Sequence, residues 1–230
     1  MGFYNKVSNR LINLVQHIVL RRPSVTSVIR KVQKSYLDAH HCNSYEDLIV
    51  FFVPGFDIVS GGAMSIISLA EETKKLFTKS KTGVFVCVIP YHPPLAKFTK
   101  FENNAVVVNY FDVLFRCGNA KTILLHIPEI YTHYIARSHK KLLNSFHGQL
   151  YFNILLQNID VAPNPIFVNK LKLAGTVTIT TAHKAYSGKD TERRYGCPVH
   201  HLSVWISPEK YFYKHFNEKR KLIVVSPDDH

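Results

Sequence analysis

Leu48-Ile49-Val50-Phe51-Phe52-Val53, then Pro54-Gly55-Phe56-Asp57-Ile58-Val59-Ser60-Gly61-Gly62, then Ala63 to Lys79 is the stretch that decides the fold. A half-wet strand alternates apolar and polar residues. The unbroken apolar run from Leu48 to Val53 instead reads as a strand covered on both faces. Pro54 to Gly62 is a loop, and Ala63 to Lys79 reads as a helix with Met64, Ile67, Ala70 and Leu76 inward. The same unit repeats downstream. Val84 to Ile89 is a strand ended by Pro90 and Pro93-Pro94, and a weaker strand around Ala105 to Val108 precedes a short helix to Cys117. Thr122 to His126 is a strand, Tyr131 to Ser145 a helix, and Leu150 to Ile159 a strand. Pro165 opens a helix to Leu173, and Val177 to Thr181 and Leu202 to Ile206 are the last strands of the set. Strands alternating with helices give an α/β fold: a parallel sheet with right-handed crossovers and helices on its faces.

The chain ends differ from this core. Val7, Leu11, Leu14, Val15, Ile18 and Val19 recur at helical spacing until Pro23, and a second helix from about Ser24 carries Val25, Val28, Ile29, Val32 and Tyr36 on one face. Residues 1–41 hold seven Lys or Arg (Lys6, Arg10, Arg21, Arg22, Arg30, Lys31 and Lys34) and one acid, Asp38. Residues 1–44 therefore read as a basic amphipathic arm. Its partner is an anionic membrane surface, unless the apolar stripes pack on the main domain or a second subunit. At the other end, Ser207-Pro208 opens a helix carrying Tyr211, Phe212 and Phe216, Glu218 to Lys221 is a charged linker, and Leu222 to Val225 is a buried-type strand. Residues 45–217 read as one domain, and 218–230 as a hinge plus the first strand of a second domain.

Composition narrows the classes. With 46% hydrophobic residues in 230, the chain can bury a large core, which excludes a disordered protein. No apolar run reaches the roughly 18–20 residues that span a bilayer. Met1-Gly2-Phe3-Tyr4-Asn5-Lys6 lacks a secretory or myristoylation pattern, so a cytoplasmic location is expected, with the arm on the inner face of the membrane. Four scattered cysteines without a CxxC pair read as reduced, buried thiols. The formal charge of +13 favours anionic partners such as nucleotide phosphates or lipid headgroups. Nucleic acid is the weaker expectation, because beyond the arm the lysines are not gathered into a recognition module.

In open α/β sheets ligands bind at the carboxyl ends of the strands, so the loops there carry the candidates. Gly61 and Gly62 lead into a helix start, where free amides favour a phosphate or another anion and glycine permits close approach. The loop matches neither GxGxxG nor a GK[ST] phosphate loop. His126-Ile127-Pro128-Glu129 puts an imidazole and a carboxylate at one sheet edge, and either His126 or Glu129 can take a proton from an attacking hydroxyl. Gln157, Asn158, Thr181 and His183 follow later strands with groups able to hydrogen-bond a sugar or phosphate. His40-His41-Cys42 and Cys197-Pro198-Val199-His200-His201 lack the paired spacing of a zinc site, so no metal is expected, and there is no G-x-S-x-G elbow.

Two stretches resemble the N-terminal half of GT-B glycosyltransferases that use nucleotide-sugar donors. One is Val50-Phe51-Phe52-Val53 leading through Gly61-Gly62 into a helix. The other runs from Thr176-Val177-Thr178-Ile179-Thr180-Thr181-Ala182-His183 through Glu192-Arg193-Arg194-Tyr195-Gly196-Cys197-Pro198 to His201-Leu202-Ser203-Val204-Trp205-Ile206-Ser207-Pro208-Glu209-Lys210-Tyr211-Phe212. The likeness covers roughly residues 48–225. It implies a Rossmann-like acceptor-side domain whose Gly61-Gly62 loop faces the donor phosphates, with Leu222 to Val225 opening the donor domain. It further implies sugar transfer from a nucleotide-sugar donor to a glycan or lipid-linked acceptor in surface polysaccharide assembly, with no cofactor; the alternative expectation is a non-catalytic module that binds an anion, nucleotide or nucleic acid. Trp205-Ile206-Ser207 departs from the family's usual Asn-Gly at that turn.

Overall fold

The structure is a computed structural model that describes residues 23–39, 44–54, 61–89, 106–108, 111–117, 119–157, 161–182 and 188–202. The helix expected over Val7 to Val19, and everything from Ser203 onward, lie outside the described residues. That second group includes the helix at Ser207-Pro208, the hinge and the strand at Leu222.

Among the described residues seven strands form one sheet. In chain order they are β1 (Asp47–Pro54), β2 (Thr82–Ile89), β3 (Val106–Val108), β4 (Thr122–Pro128), β5 (Gln149–Leu156), β6 (Thr176–Thr181) and β7 (Val199–His201). Their spatial order is β3-β2-β1-β4-β5-β6-β7, and every neighbouring pair is parallel. The chain winds outward from β1 to β3, returns across the sheet, and winds outward the other way from β4. The order therefore reverses between β1 and β4, the kind of position at whose carboxyl edge ligands bind in open α/β sheets.

The helices are α1 (Pro23–Ala39), α2 (Gly61–Leu76), α3 (Leu114–Cys117), α4 (Thr132–Ser138), α5 (Lys140–Ser145), α6 (Pro165–Lys172) and α7 (Lys189–Tyr195). Right-handed crossovers put helices on one face when the chain winds one way and on the other face when it winds back. The core divides accordingly. Ile49, Phe51, Val53, Val84, Val86 and Leu155 lie under Ala63, Ile66, Ile67 and Ala70 of α2. On the opposite face Val50, Phe52, Phe85, Leu125, Phe152 and Ile179 meet Leu37 of α1, Leu114 of α3, Ile135 of α4, Leu143 of α5, Val168 of α6 and Tyr195 of α7. Fully burying each such side chain contributes about 1.5–3 kcal/mol, which makes these two layers the main source of stability.

Local chemistry sets the element ends. Asn164 caps α6 by accepting from the Ile166 amide at 2.9 Å, with Pro165 in the first turn. Gly196 stops α7 with φ 60°, a left-handed conformation that costs glycine little. A Cβ at Gly175, in the turn before β6, would collide with the backbone oxygen of Leu150. Several expectations are corrected. Leu76 is 81% exposed rather than inward, and Ala63 and Ile66 take its place in the core. The helix over Tyr131 to Ser145 is broken: Glu129–Tyr131 is a 3-10 turn, and buried His139 separates α4 from α5 while its ring meets Phe111 edge-on at 4.1 Å. A short strand β7 at Val199–His201 precedes the stretch expected as a strand from Leu202 to Ile206, which from Ser203 onward lies outside the described residues. The inward face of α1 is Ile29, Gln33 and Leu37; Val28, Val32 and Tyr36 face outward.

Candidate functional site

The candidate residues lie around the carboxyl ends of β1, β4 and β5. β1 ends at Pro54, and α2 starts at Gly61-Gly62 with no acidic residue in its first turn. From the far side, Gln157 at the end of β5 has its Nε2 donating to the Gly62 carbonyl at 3.5 Å. This long contact joins the start of α2 to the end of β5.

His126 lies two residues inside β4, on the α2 face. It is in register with Phe51 of β1 and Asn153 of β5, and Asn153 is in register with Thr178 of β6. The imidazole stacks on the Phe51 ring, with centroids 4.3 Å apart and planes 6° from parallel. Its Nδ1 is 2.9 Å from Asn153 Nδ2. Asn153 Oδ1 in turn accepts from Thr180 Oγ1 at 2.8 Å and from Thr178 Oγ1 at 3.4 Å. An amide nitrogen only donates, so Nδ1 accepts and the ring proton sits on Nε2. Burial lowers the His126 pKa to about 4, which leaves the ring neutral at ordinary pH. The arrangement presents an N–H donor on a fixed ring rather than a free base.

Glu129 stands beyond the strand's end. It opens the 3-10 turn after Pro128, and the residue is 6% exposed. As a carboxylate it accepts only, and it is the group at this edge suited to take a proton. The other expected residues separate. Thr181 is fully buried on the face opposite α2, its carbonyl accepting from the Leu202 amide at 2.9 Å. Asn158 and His183 lie outside the described residues. The structure thus brings Gly62 and Gln157 together, with His126 in the sheet on the same face.

Asn153, Thr178 and Thr180 are the polar residues that the sequence reading left out of the site. The available signal was an asparagine between Phe152 and Ile154 in an otherwise apolar strand, a position that demands a partner when half-buried. Burial pushes the Cys87 and Cys197 thiols up, away from the reactive thiolate. Among the described residues no three His, Cys, Asp or Glu side chains gather as a metal-ligand set. Farther along the α2 face, toward the amino ends of the strands, Ile49, Phe77, Leu124, Tyr151, Thr176 and Thr178 line an open groove of about 330 Å³.

Fold and strand order define a Rossmann-like parallel α/β domain whose strand order reverses between β1 and β4. No protein-family profile matches the sequence, and no curated protein matches it. Among solved structures the chain is similar to a chain of tryptophan synthase from M. tuberculosis, at 10% identity and a TM-score of 0.19 over 73% of this chain and 86% of that one. So loose a superposition bears on neither fold nor function.

Proposed function

We propose that this chain is the acceptor-side domain of a nucleotide-sugar-dependent GT-B glycosyltransferase, transferring a sugar to a glycan or lipid-linked acceptor of surface polysaccharide. The observation that carries the reading is the Gln157 amide meeting the Gly62 carbonyl at 3.5 Å at the start of α2, on the carboxyl side of the sheet where the strand order reverses. The resemblance of residues 48–225 to GT-B enzymes implies a donor-facing role for the Gly61-Gly62 loop and supports this reading.

In this reading the acceptor hydroxyl oxygen attacks the anomeric carbon of the donor. The bond from that carbon to the diphosphate oxygen breaks, and the diphosphate leaves with the electron pair. Glu129 takes the hydroxyl proton, while the first-turn amides of α2 stabilise the charge gathering on the diphosphate. His126, neutral and protonated on Nε2, donates to a substrate oxygen and does not compete for the proton.

The test is acceptor-dependent release of nucleotide. The polypeptide that carries this chain is incubated with UDP-, GDP-, dTDP- and CMP-sugars and a detergent extract of lipid-linked glycans. One donor is expected to give turnover, and Glu129→Gln is expected to lower it by about 100-fold or more while leaving thermal unfolding in place. Absence of release with every donor, or a Glu129→Gln variant of undiminished rate, overturns the assignment.

A further inference from the structure

The helices on the face opposite α2 carry a patch that neither the core nor the proposed chemistry uses. Ile135 and Ala136 hold α4 to the body, and Val168 and Leu171 hold α6, so the other sides of both helices look outward. There Phe167 of α6 meets α4. The Arg137 guanidinium lies over its ring at 4.7 Å from the centroid, Lys170 Nζ at 5.7 Å, and the His133 ring centroid is 6.0 Å away. Cations gather here without acids: α4, α5 and α6 contain Arg137, Lys140, Lys141, Lys170 and Lys172 and no Asp or Glu. Lys172 is spent on the Tyr195 and Gly196 carbonyls, and among the described residues none of the other four pairs with a carboxylate. The acids of adjoining α7 are engaged, Asp190 with Arg193 and Glu192 with the Val199 amide. Ile166, Lys170 and Leu173 follow at i, i+4 and i+7 along one edge of α6, with Ile166 and Leu173 exposed to 55% and 82%.

We propose that this patch, the Ile166–Leu173 edge of α6 with the cations around Phe167, is a docking surface for an anionic lipid bilayer. Headgroups over acyl chains match both parts of it at once, the aliphatic side chains inserting while Arg137 and Lys170 stay at phosphate level. A single-stranded nucleic acid would want a free aromatic face on which to stack a base, and Phe167, the ring within the patch, already lies under Arg137 and Lys170. A second copy would set the same cations face to face. Position supports the same occupant. α4 follows the turn at the end of β4 and α6 follows β5, so His133 and Ile166, each in a first turn, stand beside the carboxyl edge of the sheet. The surface is independent of the glycosyltransferase reading, and vesicle binding needs no sugar nucleotide.

Flotation of the full chain with phosphatidylcholine vesicles, with and without about 30 mol% phosphatidylglycerol, tests it at roughly the 0.1 M salt where surface charge still acts over about 10 Å. The protein is expected to float with the anionic vesicles and not with the neutral ones, and to detach at about 1 M salt. Arg137→Gln with Lys170→Gln is expected to weaken binding by about fivefold per cation, and Lys140→Gln with Lys141→Gln, which disturbs no ring contact, to act in the same direction. Ile166→Gln with Leu173→Gln is expected to lower it more than about tenfold at unchanged melting temperature, because these side chains look away from the core. Equal binding to neutral vesicles, no binding to anionic ones, or Ile166 and Leu173 variants that float as the native protein does overturns the proposal. A melting temperature lowered by Ile166→Gln with Leu173→Gln, or an oligonucleotide that anionic vesicles fail to displace, overturns it too.

Discussion

Replacing Asn153 by Asp changes one atom of the row Phe51, His126, Asn153 and Thr178 and reverses its hydrogen-bond polarity. In the native protein Asn153 Nδ2 donates to His126 Nδ1 at 2.9 Å, so the imidazole is neutral with its proton on Nε2, and its pKa lies at about 4. A carboxylate at that position can only accept, which forces a proton onto Nδ1 and stabilises the imidazolium. An opposite charge at contact distance shifts such a group by roughly one to three pH units, so His126 in the variant should titrate at about 5–7. The linkage sign follows. His126 is ordinarily protonated below about 6.5 in the unfolded chain but resists protonation when folded, so its contribution to stability is intact above that pH. It is lost as pH falls from about 6.5 to 4, by up to about 3 kcal/mol. His139, also lowered to about 4 by burial and by the nearby Arg30, adds in the same direction. In Asn153→Asp the His126 part of that slope should shrink, because the folded state now binds its proton earlier. Long-range nitrogen–proton NMR of the histidine side chains reads tautomer and titration together, and urea unfolding at pH 7 and 4.5 reads the slope. Finding the Nδ1–H tautomer in the native protein, native titration near pH 6.5, or an unchanged titration in Asn153→Asp would refute the reasoning.

Glu46 joins the amino ends of the sheet by pairing with both Lys81 and Lys121, and hydrogen bonds to these lysines lower its pKa to about 2. Its contribution is present above the ordinary carboxylate pKa and disappears as pH drops toward about 2; Glu46→Gln should flatten the acid limb of the melting curve over that window, and the native limb should weaken with added salt. At Gly175 the left-out Cβ would strike the Leu150 backbone. Gly175→Ala is therefore expected to destabilise the fold by about 1–3 kcal/mol in denaturant unfolding, while Gly188→Ala, where nothing lies within 4 Å, stays within about 0.5 kcal/mol.

Strand positions were legible because a doubly covered strand has to be apolar throughout, as Leu48 to Val53 and Val84 to Ile89 are. Element boundaries were less so. His139 looks like any helical residue in sequence, and only the space beside Phe111 shows why the helix breaks there. The α1 stripe was ambiguous for a stricter reason. Its apolar residues occupy more than one sector of the helix, and periodicity alone cannot say which sector the body takes. Ile29 and Leu37 take it, with Arg30 held by Asp112, an acid 82 residues away whose partnership no local pattern announces.

The candidate site divides along the same line. Gly62, Glu129 and Gln157 were visible because each follows a strand whose end could be read locally, and in a parallel sheet those ends share one edge. The row beneath them depends on register, which pairs residues 27 positions apart in His126 and Asn153 and 25 apart in Asn153 and Thr178. That row alters the chemistry read from the motif. Taken alone, His126 and Glu129 are interchangeable candidates for a base. Once Asn153 donates to Nδ1 and Phe51 lies flat against the ring, His126 is committed to donating and holds no charge at neutral pH. The carboxylate beyond the strand is then left as the proton acceptor, so activity in the proposed transfer should track the state of Glu129 and survive Asn153→Leu better than Glu129→Gln.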